Sequence, residues 1–388
     1  MNHRIREWLL LVGFCIFLFF YGLGQFGLVG ADEPRYAQVA REMLARHDWV
    51  TPTLGGKPWL EKPPLYYWQA MAAFAIFGVH DWAARVPSAV DASLIVLAVY
   101  LFLRKLRPGI PLDGALMTAS AAGIVGFAHS ASTDMPLATM FSLAMLCWYA
   151  WWESREQKLL YGFHFFLALG VLAKGPVAVV LAGAVIVLFA IAAGNSRIIL
   201  KSIWLPGMFV FFVVAMPWYL AVQLRQPEFF RVFILEHNLG RFGSDLYHHS
   251  QPIWFYIPVA TLALVPWVAF VGAAKLEVLR AWWTERRALF ETGDALNVFL
   301  ILWLSVPILF FSLSRSKLPG YILPAIPAGT LLVAEYVRRH IDEDRPPGGV
   351  IITHAIVAAA PLVPALSVAY ILVQHRLPWG TATIVSSV

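Results

Sequence analysis

The chain has 388 residues, of which 60% are hydrophobic and only 13% charged, with a formal net charge of +6. A water-soluble fold of this length cannot cover so much apolar surface with so few charges, so the composition specifies a membrane protein with several spans. The positive balance is accounted for by loops facing anionic lipid, and no basic stripe alternates with aromatics on a soluble unit, which excludes a nucleic-acid partner.

The first apolar run, Trp8 to Val29, follows Arg4 and Arg6. It is long enough to span and lacks a small-residue cleavage pattern, so it reads as a retained anchor. Further apolar windows fall near 84–103, 112–130, 134–152, 159–173, 176–193, 203–223, 253–274, 295–312, 319–337 and 350–373. The expected architecture is therefore all-α, a polytopic transmembrane helical bundle with about eleven spans. Lys174-Gly175-Pro176 interrupts the pair 159–173 and 176–193. Proline breaks the helix ladder and lysine is costly in hydrocarbon, which predicts a turn near an interface. Cys15 and Cys147 both lie in apolar runs and read as buried thiols. With the N-terminus inside, the short loops holding Arg104, Lys105 and Arg107, then Arg155 and Lys158, then Arg197 and Lys201, all face the cytoplasm.

The loop at 30–83 is expected to be structured. Pro34 to Arg46 reads as a helix with Asp32 as its N-cap, and Tyr36, Val39, Ala40, Met43 and Leu44 fall on one face. A helix of that kind is expected to lie flat on the outer leaflet. Pro63-Pro64 opens a second run, Leu65 to Val79. With no internal repeat and no soluble stretch, residues 1–388 read as one transmembrane domain whose outer loops 30–83 and 224–252 carry the polar clusters.

Those clusters share one side of the predicted topology. Asp32 and Glu33 follow the first span, Glu61 and Lys62 close the first outer loop, and His129 and Asp134 sit in a short turn. Lys174 sits at the proline break, His237, Asn238 and Arg241 in the second long loop, and Arg315, Lys317 and Tyr321 in a later turn. Singly, each has a structural reading: a helix cap, a snorkelling lysine, a loop histidine, a turn resting on lipid phosphates. Together, the lysines and arginines make a cationic pocket suited to a phosphate, and the carboxylates beside it can act as a general base or stabilise charge at a sugar anomeric carbon. That chemistry points to glycosyl transfer from a lipid-linked donor. A transporter or lipid flippase is the alternative, and for it the mid-span Asp91 is the strongest feature.

The stretches "DEPRYAQVAREMLARHDWVTPTLGGKPWLEKPPLYYW", "TDMPL", "LAKGP", "EHNLGRF" and "SRSKLPGYILPAIPA" resemble the bacterial aminoarabinose lipid A transferases and their relatives in the protein O-mannosyltransferase clan, all of the GT-C superfamily. The resemblance implies a GT-C bundle with amphipathic juxtamembrane helices in its first outer loop. It implies Asp32 as catalytic carboxylate, Arg35 and Tyr36 in the same pocket, and Asp134 as the second acidic residue. Lys62 and Arg241 would hold the carrier phosphate with help from Tyr321, and Lys174 would face the donor or acceptor phosphate. Glu61 and His237 would be ligands of a divalent metal, zinc or another, and no other cofactor is expected. The implied partners are a polyprenyl-phosphate sugar, a glycolipid or protein acceptor and membrane lipid, in a bacterial inner membrane with the site facing the periplasm. Trp59-Leu60 departs from the tyrosine-containing pair that often precedes "EKPP" in relatives, which bears on pocket contacts.

Overall fold

The computed structural model describes residues 3–240, 251–285, 290, 295–340 and 348–359. Helices dominate, because backbone groups in hydrocarbon have no water to pair with and a helix satisfies its own. In chain order these are α1 (His3–Cys15), α2 (Asp32–Ala45), α3 (Leu65–Phe77), α4 (Asp81–Leu106), α5 (Pro111–Ala119), α6 (Ala122–Ala128), α7 (Asp134–Ser154), α8 (Lys158–Lys174), α9 (Val177–Ala192), α10 (Arg197–Ser202) and α11 (Leu205–Arg225). Later helices cover Ala295–Leu313, Ile326–His340 and Gly348–Ala359, among others. Each of the eleven apolar windows carries helix among the described residues, and the part of the last window beyond residue 359 lies outside them. By length and composition, four helices among the described residues can cross a membrane singly, and two bent pairs bring the number to six. One bent pair is α5 with α6, which meet at 60°.

The centre of the bundle is α7, buried along nearly its whole length and packed against α8 and α4. Trp148 and Tyr149 near its far end pack on Phe299 at 5.5 and 4.8 Å, and Phe189 of α9 meets Trp148 edge-on at 5.5 Å. The proline break is as expected: α8 stops at Lys174, Gly175 takes φ +92°, and α9 starts at Val177. Because α7 starts at Asp134 and α8 ends at Lys174, the two charges come to the same end of the bundle.

Two details of the first outer loop differ from expectation. The helix begins at Asp32, with Ala31 in the cap position and no side-chain cap, so Asp32 is inside the first turn and is not the N-cap. Pro34 is tolerated there because the first N–H groups of a helix have no intrahelical partner. The apolar face of α2 also packs on protein: Tyr36, Val39, Ala40 and Met43 are buried against Tyr66, Tyr67, Ala70, Met71 and Phe74 of α3. Between the two helices runs a short hairpin, Thr53–Leu54 (β1) and Lys57–Pro58 (β2), turning on Gly55-Gly56 at φ +60° and +76°. Glu42 of α2 holds it by accepting from the Thr53 hydroxyl and from the N–H groups of Gly55 and Gly56. Burial raises the Glu42 pKa, but bonds from Thr53, Gln38, Gly56 and Gly55 outweigh it and bring the pKa down to about 2.

Candidate active site at one end of the bundle

The elements around the site are fastened by a pair that the sequence reading did not single out. Arg85 of α4 is fully buried, donates to both carboxylate oxygens of Glu33 at 3.2 and 2.8 Å, and donates also to the carbonyls of Leu23, Phe26 and Gly27. Glu33 accepts further from the N–H groups of Val29 and Ala131. One carboxylate therefore joins the turn after the first span, α2, α4 and the α6–α7 turn. Burial pushes the Glu33 pKa up, and the Arg85 guanidinium with those two N–H groups more than offsets it, so the carboxyl lies below its usual range. Ser88 reinforces the junction by donating to the Ser130 carbonyl. His129 lies in the same junction, its ring nitrogens 2.9 and 3.1 Å from the carbonyls of Val125 and Tyr21.

Asp32, next to Glu33, points elsewhere. Its side chain is 51% exposed and pairs with Arg35 one turn on, at 3.1 Å. The Arg35 guanidinium lies 5.4 Å from the centre of the Trp59 ring, and Tyr36 is buried against Tyr66 and Tyr67 at 6.1 and 6.3 Å. Glu61 and Arg35 both act electrostatically on the buried Tyr67 hydroxyl. That hydroxyl and the Trp59 indole N–H lack a hydrogen-bond partner of good geometry. Lys62 is half-buried just before Pro63-Pro64, and Glu61 faces His237 with Oε1 and Nε2 3.8 Å apart.

A second group forms where α7 starts. Lys174 donates to Asp134, and both side chains are largely buried. The Lys174 ammonium also sits 4.5 Å from the centre of the Tyr321 ring. The backbone at Gly320 passes so close that an added Cβ would lie 2.6 Å from the Asp134 carboxylate and 2.8 Å from Phe127, so only glycine fits. Tyr256, which no motif identified, is fully buried beside this group and donates to the Leu318 carbonyl at 3.1 Å. Lys317 is buried and donates to the Ser314 carbonyl, whereas Arg315 is exposed. Arg241 lies outside the described residues.

The two groups are close in the chain path. The Ala131 N–H that binds Glu33 is three residues before Asp134, and Glu33 adjoins Asp32. The C-terminal end of α11 is at this end too: Trp218 donates to the Val50 carbonyl at 3.0 Å, and Arg225 pairs with Asp48 at 2.9 Å. By contrast Asp91, the mid-span carboxylate, is fully buried and accepts from the neutral Gln69 amide through both oxygens.

Glu61 and His237 stand at a spacing that one cation can bridge, and they supply half of a tetrahedral ligand set. No group of three or more His, Cys, Asp or Glu side chains suited to a metal occurs among the described residues.

Residues 61–220 match the profile of the dolichyl-phosphate-mannose-protein mannosyltransferase family. The undecaprenyl phosphate-alpha-4-amino-4-deoxy-L-arabinose arabinosyl transferase of Pseudomonas aeruginosa (strain UCBPP-PA14) is 36% identical over 346 residues, 87% of this chain and 61% of the relative. The corresponding protein of Pseudomonas savastanoi pv. phaseolicola is 31% identical over 93% of this chain and 66% of its own length. The chain thus spans about three-fifths of the length of the curated relatives it matches. Among solved structures, ArnT from Cupriavidus metallidurans bound to undecaprenyl phosphate superposes with a TM-score of 0.80 at 28% identity, covering 93% of this chain and 65% of that one. The archaeal oligosaccharyltransferase AglB from Archaeoglobus fulgidus shares the fold, with a TM-score of 0.60 at 13% identity over 100% of this chain and 56% of that one.

Proposed function

Starting from a chain that is a GT-C superfamily protein of the aminoarabinose lipid A transferase kind, we propose that it transfers a sugar from a polyprenyl-phosphate donor to a lipid A-type glycolipid or another acceptor outside the cytoplasm. The observation that carries this reading is the gathering of Asp32 with Arg35, of Asp134 with Lys174 and Tyr321, and of Glu61 with His237 at one end of the bundle, around the Glu33–Arg85 junction. In a bacterial inner membrane with the basic short loops inside, that end faces the periplasm.

Roles follow from surroundings. Asp32 is exposed and held by a single partner, so its carboxylate is free to take the acceptor proton or to stabilise charge building at the anomeric carbon. Arg35, stacked on Trp59, fixes its direction. Lys62, with Arg241 and the exposed Arg315, is assigned to the carrier phosphate, where charge develops as the sugar leaves. Lys174 is held against Asp134 and Tyr321, so this trio aligns the phosphate by shape and by a shared charge. Glu33 is a positioning residue, because both its oxygens are taken up by protein partners, and the buried Lys317 ammonium is turned to the Ser314 carbonyl.

Transfer measured in membranes with radiolabelled polyprenyl-phosphate sugars, each offered singly, tests the proposal. One labelled product supports it, and folded protein that transfers from no donor sinks it. Lys62→Ala should raise the donor KM by roughly 10- to 100-fold, as expected for one charge-assisted contact. An unchanged KM removes Lys62 from the donor site. Glu61 and His237 would hold a divalent cation, which would supply positive charge near the donor phosphate. Chelation and Glu61→Gln should then depress transfer alike and not additively. Full activity in chelator would leave the pair as an ordinary electrostatic contact.

A further inference from the structure

The opposite end of the bundle has a built feature that this reaction does not use. Between the end of α7, the start of α8, α10 and the start of α11 lies a cavity of about 480 Å³, lined by Trp151, Arg155, Gln157, Lys201, Trp204 and Leu205. The carboxylates nearby are already engaged: Glu153 pairs with Arg107 at 2.8 Å, and Glu156 pairs with Lys105 and Lys158 at 2.5 and 2.9 Å. Arg155 and Lys201 have no ion pair among the described residues, and the Arg155 guanidinium lies 5.7 Å from the centre of the Trp152 ring. Trp151 is 3% exposed, and its indole N–H has no hydrogen-bond partner.

A second cavity of about 370 Å³ lies between α8, α9 and α11, lined by Phe163, Leu167, Ile186, Met208, Phe211 and Phe212. Ile203 lines both cavities. Gly207 lets α11 pass close to His164 of α8, where a Cβ would lie 2.4 Å from the ring, and this close approach forms one wall. Around the mouth, Leu200, Ile203 and Leu205 are exposed apolar side chains, suited to lipid contact. A cationic, indole-lined chamber adjoining an apolar slot at Ile203 has the two-part chemistry of one phospholipid.

We propose that this composite cavity binds an anionic glycerophospholipid from the leaflet opposite the Asp32 end. Its phosphate sits between Arg155 and Lys201, its glycerol rests at Trp204, and one acyl chain fills the slot. Two basic groups at a membrane surface favour an anionic headgroup, and the apolar slot distinguishes a lipid from a free anion.

The test uses the full chain in detergent, with phosphatidylglycerol and phosphatidylcholine titrated in turn and retention read by native mass spectrometry. Wild type is expected to retain one phosphatidylglycerol in preference to phosphatidylcholine. Arg155→Gln with Lys201→Gln should weaken that binding roughly thirtyfold, and Arg197→Gln, on the same helix but away from the cavity, should not change it. Met208→Trp fills the slot without touching the charges and should also weaken binding. Equal retention of the two lipids, or unchanged affinity in the double variant, overturns the proposal. Unchanged affinity in Met208→Trp, or full displacement by equimolar inorganic phosphate, would overturn it in favour of a free-anion site. If the double variant does not fold, Lys201→Gln alone carries the same comparison at a smaller effect. None of these readouts depends on sugar transfer.

Discussion

Asp32→Asn is expected to lower transfer by about 10²- to 10⁴-fold, the range for loss of a positioned general base, with protein level and thermal stability unchanged. Stability should hold because Asp32 is half exposed and its pair with Arg35 is a surface contact between residues three apart, worth a few tenths of a kcal/mol. Asparagine keeps the shape and polarity at the helix start, so the variant removes the charge alone. Rate loss without KM change would place Asp32 at the reacting centre, and loss of donor binding alone would move it to substrate positioning. Retained transfer would end its assignment as the catalytic carboxylate.

What the sequence revealed and what it hid divide along physical lines. The apolar windows were legible because a bilayer requires long apolar helices, and each window carries helix. Asp134 and Lys174 were legible for the reverse reason: charges at the ends of apolar helices demand partners, and these two found each other. Adjacent Asp32 and Glu33 were read as one acidic unit, yet successive helical residues point about 100° apart, so one faces the open site and the other enters the core. The flat helix was recognised by its stripe, but periodicity says only that a face is buried. That Tyr66, Tyr67 and Phe74 cover it, and not lipid, is a tertiary fact. The two-residue strands were too short to show alternation, leaving Gly55-Gly56 as the only local sign of the turn. Tyr256 and Gly320 reach the Asp134 group only through packing of distant segments, which leaves no local signature.

Arg85 was the largest omission, and it carries the largest expected effect on stability. In the sequence it is one cation near the start of an apolar span, where a snorkelling role is the ordinary reading. In the structure it is fully buried, with three carbonyls and a carboxylate on its guanidinium. Arg85→Met should destabilise the fold by roughly 3–5 kcal/mol, because it leaves Glu33 buried without its counter-charge and frees the carbonyls of Leu23, Phe26 and Gly27. Adding Glu33→Gln to Arg85→Met should recover part of that loss, since it removes the stranded charge and keeps one amide oxygen that can accept from either the Val29 or the Ala131 N–H. The pH dependence has a definite sign. The folded Glu33 carboxyl titrates below its usual 4.5, so its contribution is complete above that pH and fades as pH falls through the depressed value. The stability gap between wild type and Arg85→Met should therefore be widest near neutrality and narrow on acidification. Thermal unfolding in detergent from neutral pH down to about pH 3 reads it directly. A gap that stays constant, or an additive double variant, would mean that the guanidinium acts through the carbonyls alone, and that the α6–α7 turn bearing Asp134 is held to Asp32's helix by something other than this ion pair.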